Sequence, residues 1–137
     1  MKGMKLATLL LILGISSCDA KSLHVKGRLL CRGRPQDYAE IKIVDRHSVA
    51  QNIDMSHVVS DAGGYFETKA AQDADFFPKI WIWHNCWEKA YEPQKCARLF
   101  TIEVSNVFIT PDNIPDKVWD MREIELEQWK HNEDYIC

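Results

Sequence analysis

Cysteine is the residue type whose number and spacing most constrain the chemistry of this 137-residue chain, which carries five of them. Cys18 lies inside an N-terminal segment with the features of an export signal, and its removal leaves Cys31, Cys86, Cys96 and Cys137. Four cysteines in an oxidising compartment indicate two disulfides, with three connectivities open. A zinc site would need close pairs such as C-x2-C, whereas 54, 9 and 40 residues separate these cysteines, so we expect no metal.

The first twenty residues carry the three parts of a secretory signal peptide. Lys2 and Lys5 precede an apolar run over residues 6–15, and small residues follow up to Ala20. A run of about ten residues is too short to span a bilayer, which needs about 20. We therefore predict a signal peptide over residues 1–20, a single domain over residues 21–137, secretion to an extracellular location, and no transmembrane segment. The alternative is a bacterial lipoprotein signal in which Cys18 is acylated.

The charge balance excludes one large class of partner. Without residues 1–20 the chain keeps 15 basic and 19 acidic side chains, a net charge of about -4. Nucleic-acid binding needs a concentrated surface of Lys and Arg, so we expect no nucleic-acid partner.

Histidine offers two candidates for catalysis or metal binding, and neither has the neighbours that such chemistry needs. His24 lies in a predicted strand without an identifiable acid or base partner in the sequence. His84 and Cys86 point to the same strand face, but Cys86 is better accounted for by a disulfide, which leaves His84 as a hydrogen-bonded histidine near a strand end. We expect no catalytic residue, no metal and no cofactor.

The strongest candidate for binding is aromatic. Trp81 and Trp83 alternate with Ile80 and Ile82, so in a strand the two pairs face opposite ways. If the isoleucines fill the core, the two tryptophans stand side by side on an outer sheet face, as anchors of binding surfaces often do. The alternative is a strand that is buried on both faces, beneath a loop or in a homodimer interface.

A basic cluster around the first turn is a second candidate, formed by Lys26, Arg28, Arg32 and Arg34. We expect it to suit an anionic headgroup or a glycan. The acidic tail over residues 123–134 would repel anionic lipid, and solubility is the simpler explanation for its charges.

Alternating apolar and polar residues are the dominant pattern in the elements that must position these groups. The segments with this pattern are residues 23–31, 40–45, 53–59, 65–69, 76–87, 98–104, 107–110 and 118–127. A tight turn at Asp61-Ala62-Gly63-Gly64 requires a glycine with positive φ. Seven or eight short strands without helical periodicity predict an all-β sandwich of two antiparallel sheets.

Three motifs occur in a specific order along these strands. They are V-x-G-x-L-x-C-x-G-x-P over residues 25–35, S-D-x-x-G-x-F over residues 60–66, and H-N-C over residues 84–86. The combination resembles the nematode transthyretin-like family of secreted proteins, over nearly all of residues 23–137. The resemblance implies a prealbumin-like sandwich of two sheets, a paired set of four cysteines, and an extracellular binding or bridging role without demonstrated enzymatic activity.

Beside that resemblance, strand order predicts a disulfide pairing. Cys86 ends one strand and Cys96 begins the next, so a short crossover would bring them together and leave Cys31 to pair with Cys137.

Relatives of the fold include the hydrolase that opens 5-hydroxyisourate, which uses two histidines, an arginine and a C-terminal Tyr-Arg-Gly-Ser. Only His24 resembles part of that set, because the chain ends Tyr135-Ile136-Cys137. The sequence therefore predicts a secreted, non-enzymatic binding protein whose partner is an extracellular protein, a cell surface or a small lipophilic ligand, with homo-oligomerisation open. The alternatives are a divergent hydrolase and an extracellular structural protein.

Overall fold

The computed structural model describes residues 20–48, 51–73, 75–87, 96–128 and 133–137, which form nine β-strands and no α-helix. The predicted signal peptide lies almost entirely outside these ranges and stays a prediction. The strands are β1 Lys21–Cys31, β2 Arg34–Pro35, β3 Glu40–Ser48, β4 Gln51–Val59, β5 Tyr65–Gln72, β6 Pro78–His84, β7 Ala97–Glu103, β8 Trp119–Glu125 and β9 Glu133–Ile136. Across the same ranges no helix is long and apolar enough to cross a membrane.

The strands form two sheets. One has five strands in the order β4-β3-β6-β7-β9, all antiparallel. The other has four strands, in which β1 pairs antiparallel with β2 and β5 and parallel with β8. The predicted two-sheet sandwich is confirmed, but the expectation that both sheets are fully antiparallel is wrong for β8. The chain reaches β8 by a long connection from the other sheet, so its direction is not set by a hairpin.

Alternation along three central strands builds the core. Leu23, Val25 and Leu29 of β1 face the pairs Ile41 with Ile43 and Ile80 with Ile82, and all of these side chains are fully buried. Burying such side chains contributes about 1.5–3 kcal/mol each. Since residues of opposite parity on the same strands then point outward, the core determines which side chains reach the surface.

The turn at residues 61–64 takes the predicted form. Gly64 has φ 81°, and a Cβ at this position would lie 2.3 Å from the backbone oxygen of Leu29. Asp61 closes the turn by accepting hydrogen bonds from the amides of Gly63 and Tyr65. Only glycine suits both the left-handed backbone and the close approach of β1.

One strand prediction is wrong, and two strands were missed. Residues 107–110 form a 3-10 turn at Asn106–Phe108 and a single bridge from Thr110 to Ser22, because the amides of Phe108 and Ile109 bond locally to Ser105 and Asn106. Strands β2 and β9 were not predicted. Strand β9 shows no apolar–polar alternation in the sequence, because its inward position is occupied by the charged residue Glu133.

Candidate functional site

The four cysteines form two disulfides, as their number predicts, but the predicted pairing is wrong. Cys31 pairs with Cys86 and joins the two sheets, and Cys96 pairs with Cys137. The corresponding Cα atoms are 5.8 and 4.2 Å apart.

The unpredicted strand β9 explains the error. Ala97 of β7 pairs with Ile136 of β9, so the next step of the same antiparallel register places Cys96 opposite Cys137. Cys86 lies beyond the end of β6, is 2% exposed and packs in the core, where the end of β1 brings Cys31 to it. Strand order along the chain could not show that β9 lies beside β7.

A buried arginine holds the same end of the molecule. Arg98 is 1% exposed, and its guanidinium pairs with Glu133 through Nη2 to Oε2 at 2.7 Å and Nε to Oε2 at 2.9 Å. It also donates to the backbone oxygens of Cys86, Glu127 and Gln128. Its Cζ atom lies 5.1 Å from the ring centroid of Trp87. These contacts make Arg98 a structural cation.

The acidic tail is therefore more than a solubilising segment. Glu133 pairs with Arg98, and Glu125 accepts hydrogen bonds from the amides of Arg32 and Gly33 at 3.0 and 2.7 Å. Glu127 lies 3.4 Å from Arg32 Nε. Sequence reasoning missed these roles, because the partners lie between 35 and more than 90 positions apart along the chain.

The tryptophan pair lies where alternation predicts. Trp81 and Trp83 occupy the outer face of the five-stranded sheet, opposite the buried Ile80 and Ile82, and both are half-buried. Trp81 stands between Lys42 and Thr101, and Trp83 stands between Glu40 and Leu99. The neighbouring charges pair with each other, as in Lys42 with Asp54 at 3.1 Å and Lys79 with Glu103 at 3.3 Å.

A groove of about 400 Å³ opens at the end of this face. Its lining includes Trp83, Tyr38, Asp37, Glu40 and Asn85, and we call it the Tyr38 groove. Tyr38 is 80% exposed and has φ 58°, a left-handed conformation that is rare for bulky residues. Sequence reasoning did not single out Tyr38, and no local pattern marks such a backbone.

The predicted basic cluster is divided between two places. Arg32 and Arg34 lie at the β1–β2 turn, where Glu125 and Glu127 hold Arg32. Lys26 and Arg28 instead lie on the outer face of the four-stranded sheet and line a groove of about 620 Å³.

Arg122 joins Lys26 and Arg28 because β8 carries a bulge. Lys26 pairs with Asp120 and Arg28 with Glu123, so two residues of β8, Met121 and Arg122, lie opposite Gly27 alone. Arg122 has φ 59°, and its amide bonds to Asp120 Oδ1 at 2.9 Å. Bulges of this kind re-aim side chains. We call the surface formed by Lys26, Arg28 and Arg122 the cationic groove.

The turn and β5 position Arg28 in this groove. Its Nε atom donates to the Gly63 oxygen at 2.9 Å, and its Cζ atom lies 5.0 Å from the ring centroid of Tyr65. Among the described residues, no carboxylate lies within ion-pair distance of any of the three cations Lys26, Arg28 and Arg122. Three acidic side chains that line the groove have other bonds: Asp61 and Asp120 with backbone amides, and Glu67 with His24.

The histidines differ from each other. His24 Nε2 lies 2.6 Å from Glu67 Oε2, so the expectation that His24 lacks an acidic partner is wrong. The register of β1 with β5 creates this contact across 43 positions. His84 is 5% exposed, and its Nδ1 atom accepts a hydrogen bond from the Cys86 amide at 3.1 Å, as a histidine near a strand end would. Over the described ranges no three His, Cys, Asp or Glu side chains cluster as metal ligands.

Fold and surface together define a disulfide-linked β-sandwich that presents grooves on the outer faces of both sheets. The sequence model of the transthyretin-like family, TTR-52, matches residues 26–105, and the chain belongs to this family. It is 28% identical to transthyretin-like protein 5 of Caenorhabditis elegans, over 90% of this chain and 91% of that protein.

One solved structure was found to be similar to part of this chain. The crystal structure of a 9R-lipoxygenase from Cyanothece PCC8801 superposes on 79% of this chain with a TM-score of 0.49 and 18% identity. The chain spans only 17% of the length of that enzyme.

Proposed function

We propose that this chain is a secreted, non-enzymatic binding protein whose cationic groove takes a compact anionic group, such as a phosphate or a carboxylate, from an extracellular surface or ligand. The observation that carries the proposal is the set of three cations, Lys26, Arg28 and Arg122, that lack ion-pair partners among the described residues and line one groove. The Nε–H group of Arg28 donates to the Gly63 oxygen. Its other guanidinium N–H groups can donate charge-assisted hydrogen bonds to a bound anion.

The acidic rim narrows the ligand class. The same groove is lined by four carboxylates, so a polyanion would meet more carboxylates than cations; they are Asp61, Glu67, Asp120 and Glu123. A single compact anion, or a zwitterion, can instead approach the cations while Asp61, Glu67 and Asp120 keep their internal bonds.

Secretion is supported by the disulfides and by the predicted export signal. Two disulfides that involve all four cysteines of residues 21–137 suit an oxidising compartment. An assay of the culture medium of cells that express the full chain tests this part, and retention inside the cell would contradict it.

The surroundings of His24 support a non-enzymatic role. A hydrolase of the hydroxyisourate type would need a second histidine late in the chain, and residues 108–115, where it is expected, contain none. The contact of His24 with Glu67 is a histidine–carboxylate pair on an outer sheet face. We expect no ureide hydrolysis, and a rate that disappears in His24→Ala would contradict this part of the proposal.

The placement of the two grooves supports bridging. The cationic groove lies on the four-stranded sheet, and the Tyr38 groove lies on the five-stranded sheet. Because the outer faces of a sandwich point in opposite directions, two ligands can bind at the same time without contact.

Phosphate binding tests the cationic groove directly. The purified mature protein is titrated with inorganic phosphate, and separately with vesicles that contain an anionic phospholipid or only a zwitterionic one. We expect saturable phosphate binding that weakens about five-fold in Lys26→Gln and in Arg122→Gln, since one solvent-exposed ion pair contributes up to about 1 kcal/mol. Binding to phosphate and anionic vesicles identifies a surface headgroup, and binding to phosphate alone identifies a free ligand.

Arg34→Gln is the matched control. Arg34 is exposed and does not line the groove, and its replacement by Gln changes the net charge by the same amount as Arg122→Gln. Equal losses in Arg34→Gln and Arg122→Gln would show attraction to net charge only and would overturn the proposed site.

A further inference from the structure

The Tyr38 groove combines two aromatic rings with two carboxylates at one end of the five-stranded sheet. Trp83 reaches it from β6, and Tyr38 reaches it from the segment before β3. The face of an aromatic ring carries partial negative charge, and it attracts ammonium and guanidinium groups that lie within about 6 Å.

The charged side chains of the Tyr38 groove also favour a cation. Asp37 and Glu40 line the groove, and none of the described lysine and arginine residues does. Along the described chain, the closest basic group to Glu40 is His57, whose Nε2 atom is 3.9 Å from Glu40 Oε2, and Asp37 has no ion pair. Rings and carboxylates therefore both favour a positively charged ligand over an anion.

The side-chain amide of Asn85, a neutral polar group in the groove, is held by a hydrogen bond. Asn85 Oδ1 lies 3.4 Å from Gln36 Nε2, which also donates to the Asp37 oxygen at 3.0 Å. These bonds connect Asn85 to the segment that carries Asp37 and Tyr38. The groove is thus held by a contact between two distant parts of the chain.

The backbone at Tyr38 places its ring at the rim. The left-handed conformation is held from both sides, because the Tyr38 amide donates to the Ser60 oxygen at 3.2 Å and the neighbouring Ala39 amide donates to Ser60 Oγ at 3.0 Å. Tyr38 as a whole is left 80% exposed, and it lines the groove together with Trp83.

We infer that the Tyr38 groove binds an organic cation, an alkylated ammonium or a guanidinium group, between the rings of Tyr38 and Trp83 and the carboxylates of Asp37 and Glu40. The source of such a group is either a free amine or a basic side chain of an extracellular protein. The site is separate from the cationic groove, so either one can bind its ligand when the other does not.

A titration followed by nuclear magnetic resonance tests the inference on the disulfide-intact mature protein. The two probes are tetramethylammonium chloride and N-acetyl-argininamide, with glucose as a neutral probe and sodium chloride added to equal ionic strength. We expect saturable shifts of the Trp83 indole N–H and of the Tyr38 and Glu40 amides with a cationic probe. Saturation by tetramethylammonium supports a free amine as the source, and saturation by the arginine derivative alone supports a basic protein.

Three variants and one control follow the same signals. Tyr38→Asn keeps a residue that tolerates positive φ and should weaken binding about five-fold, while Asp37→Asn and Glu40→Gln should each weaken it about three-fold. Glu103→Gln removes an exposed carboxylate on the same sheet away from the groove and should leave the affinity unchanged. Equal shifts with glucose, no saturation by either cation, or unchanged affinity in Asp37→Asn and Glu40→Gln would each overturn the inference.

Discussion

Two arginines on the two sheets of this sandwich differ in what surrounds them. Arg98 is 1% exposed and has bonds to Glu133 and to three backbone oxygens. Arg28 is half-buried, has one backbone acceptor, and faces a groove with two other cations. A cation whose donors are all used inside the protein stabilises the fold, whereas one with donors directed to a groove is available for a ligand.

The difference extends to the regions around them. The Arg98 region contains both disulfides, the end of β7 and strand β9. The Arg28 region is built on a bulge and a glycine turn and has no covalent link of its own among the described residues. We expect substitutions at the first to change stability and substitutions at the second to change binding.

Replacement of Arg98 should have the largest effect. Arg98→Met leaves the Glu133 carboxylate buried beside an apolar chain and removes the donor for three oxygens, so the free energy of unfolding should fall by about 3–5 kcal/mol. Denaturant unfolding measures this fall. Arg28→Met is the matched control and should lose about 1 kcal/mol or less, and a larger loss there would break the comparison.

Removal of a disulfide should give the second-largest loss in the free energy of unfolding. Removal of the Cys31–Cys86 link by paired substitution to alanine should lower the free energy of unfolding by about 2–4 kcal/mol, since it frees the end of β1 from the other sheet. Peptide mapping without reduction checks the pairing in the unaltered protein. A peptide that joins Cys86 to Cys96 would contradict the structure.

The loss of stability on replacing a turn glycine by alanine should depend on the space around the added Cβ. Gly64→Ala places a Cβ against the Leu29 oxygen in addition to the cost of positive φ, and it should destabilise by about 2–3 kcal/mol. Gly33 has φ 74° but nothing within 4 Å of an added Cβ, so Gly33→Ala should cost about 1 kcal/mol. Thermal unfolding of both variants compares them, and equal losses would show that the approach of β1 is relaxed by backbone movement.

Tyr38 should give the smallest change, and one of opposite sign. Tyr38→Asn replaces a bulky residue in a left-handed conformation by one that tolerates it, so the free energy of unfolding should rise by about 0.5–1 kcal/mol. Urea midpoints of the two proteins measure the change. A loss of stability would show that the exposed ring packs on the fold, and it would weaken its assignment to a binding site.

Much of the sandwich was predictable because alternation is local. Ile80 and Ile82 point inward and Trp81 and Trp83 outward, as the residue order requires once β6 is a strand. The glycine turn at residues 61–64 followed in the same way from residue types.

The contacts between distant parts of the chain were not predictable. The proximity of Cys96 and Cys137 depends on the pairing of β7 with β9, and the proximity of His24 and Glu67 depends on the register of β1 with β5. Neither depends on residue types within a short window.

The sequence by itself determined the strand faces, the glycine turn, the number of cysteines available for disulfides and the family. Each of these follows from residue type and near spacing, where the strand period and φ preferences act. Only the tertiary structure decided the cysteine pairing, the burial of Arg98, and the grouping of Lys26 and Arg28 with Arg122 rather than with Arg32 and Arg34. Strand register and a bulge set these neighbours, because they bring together residues that are far apart along the chain.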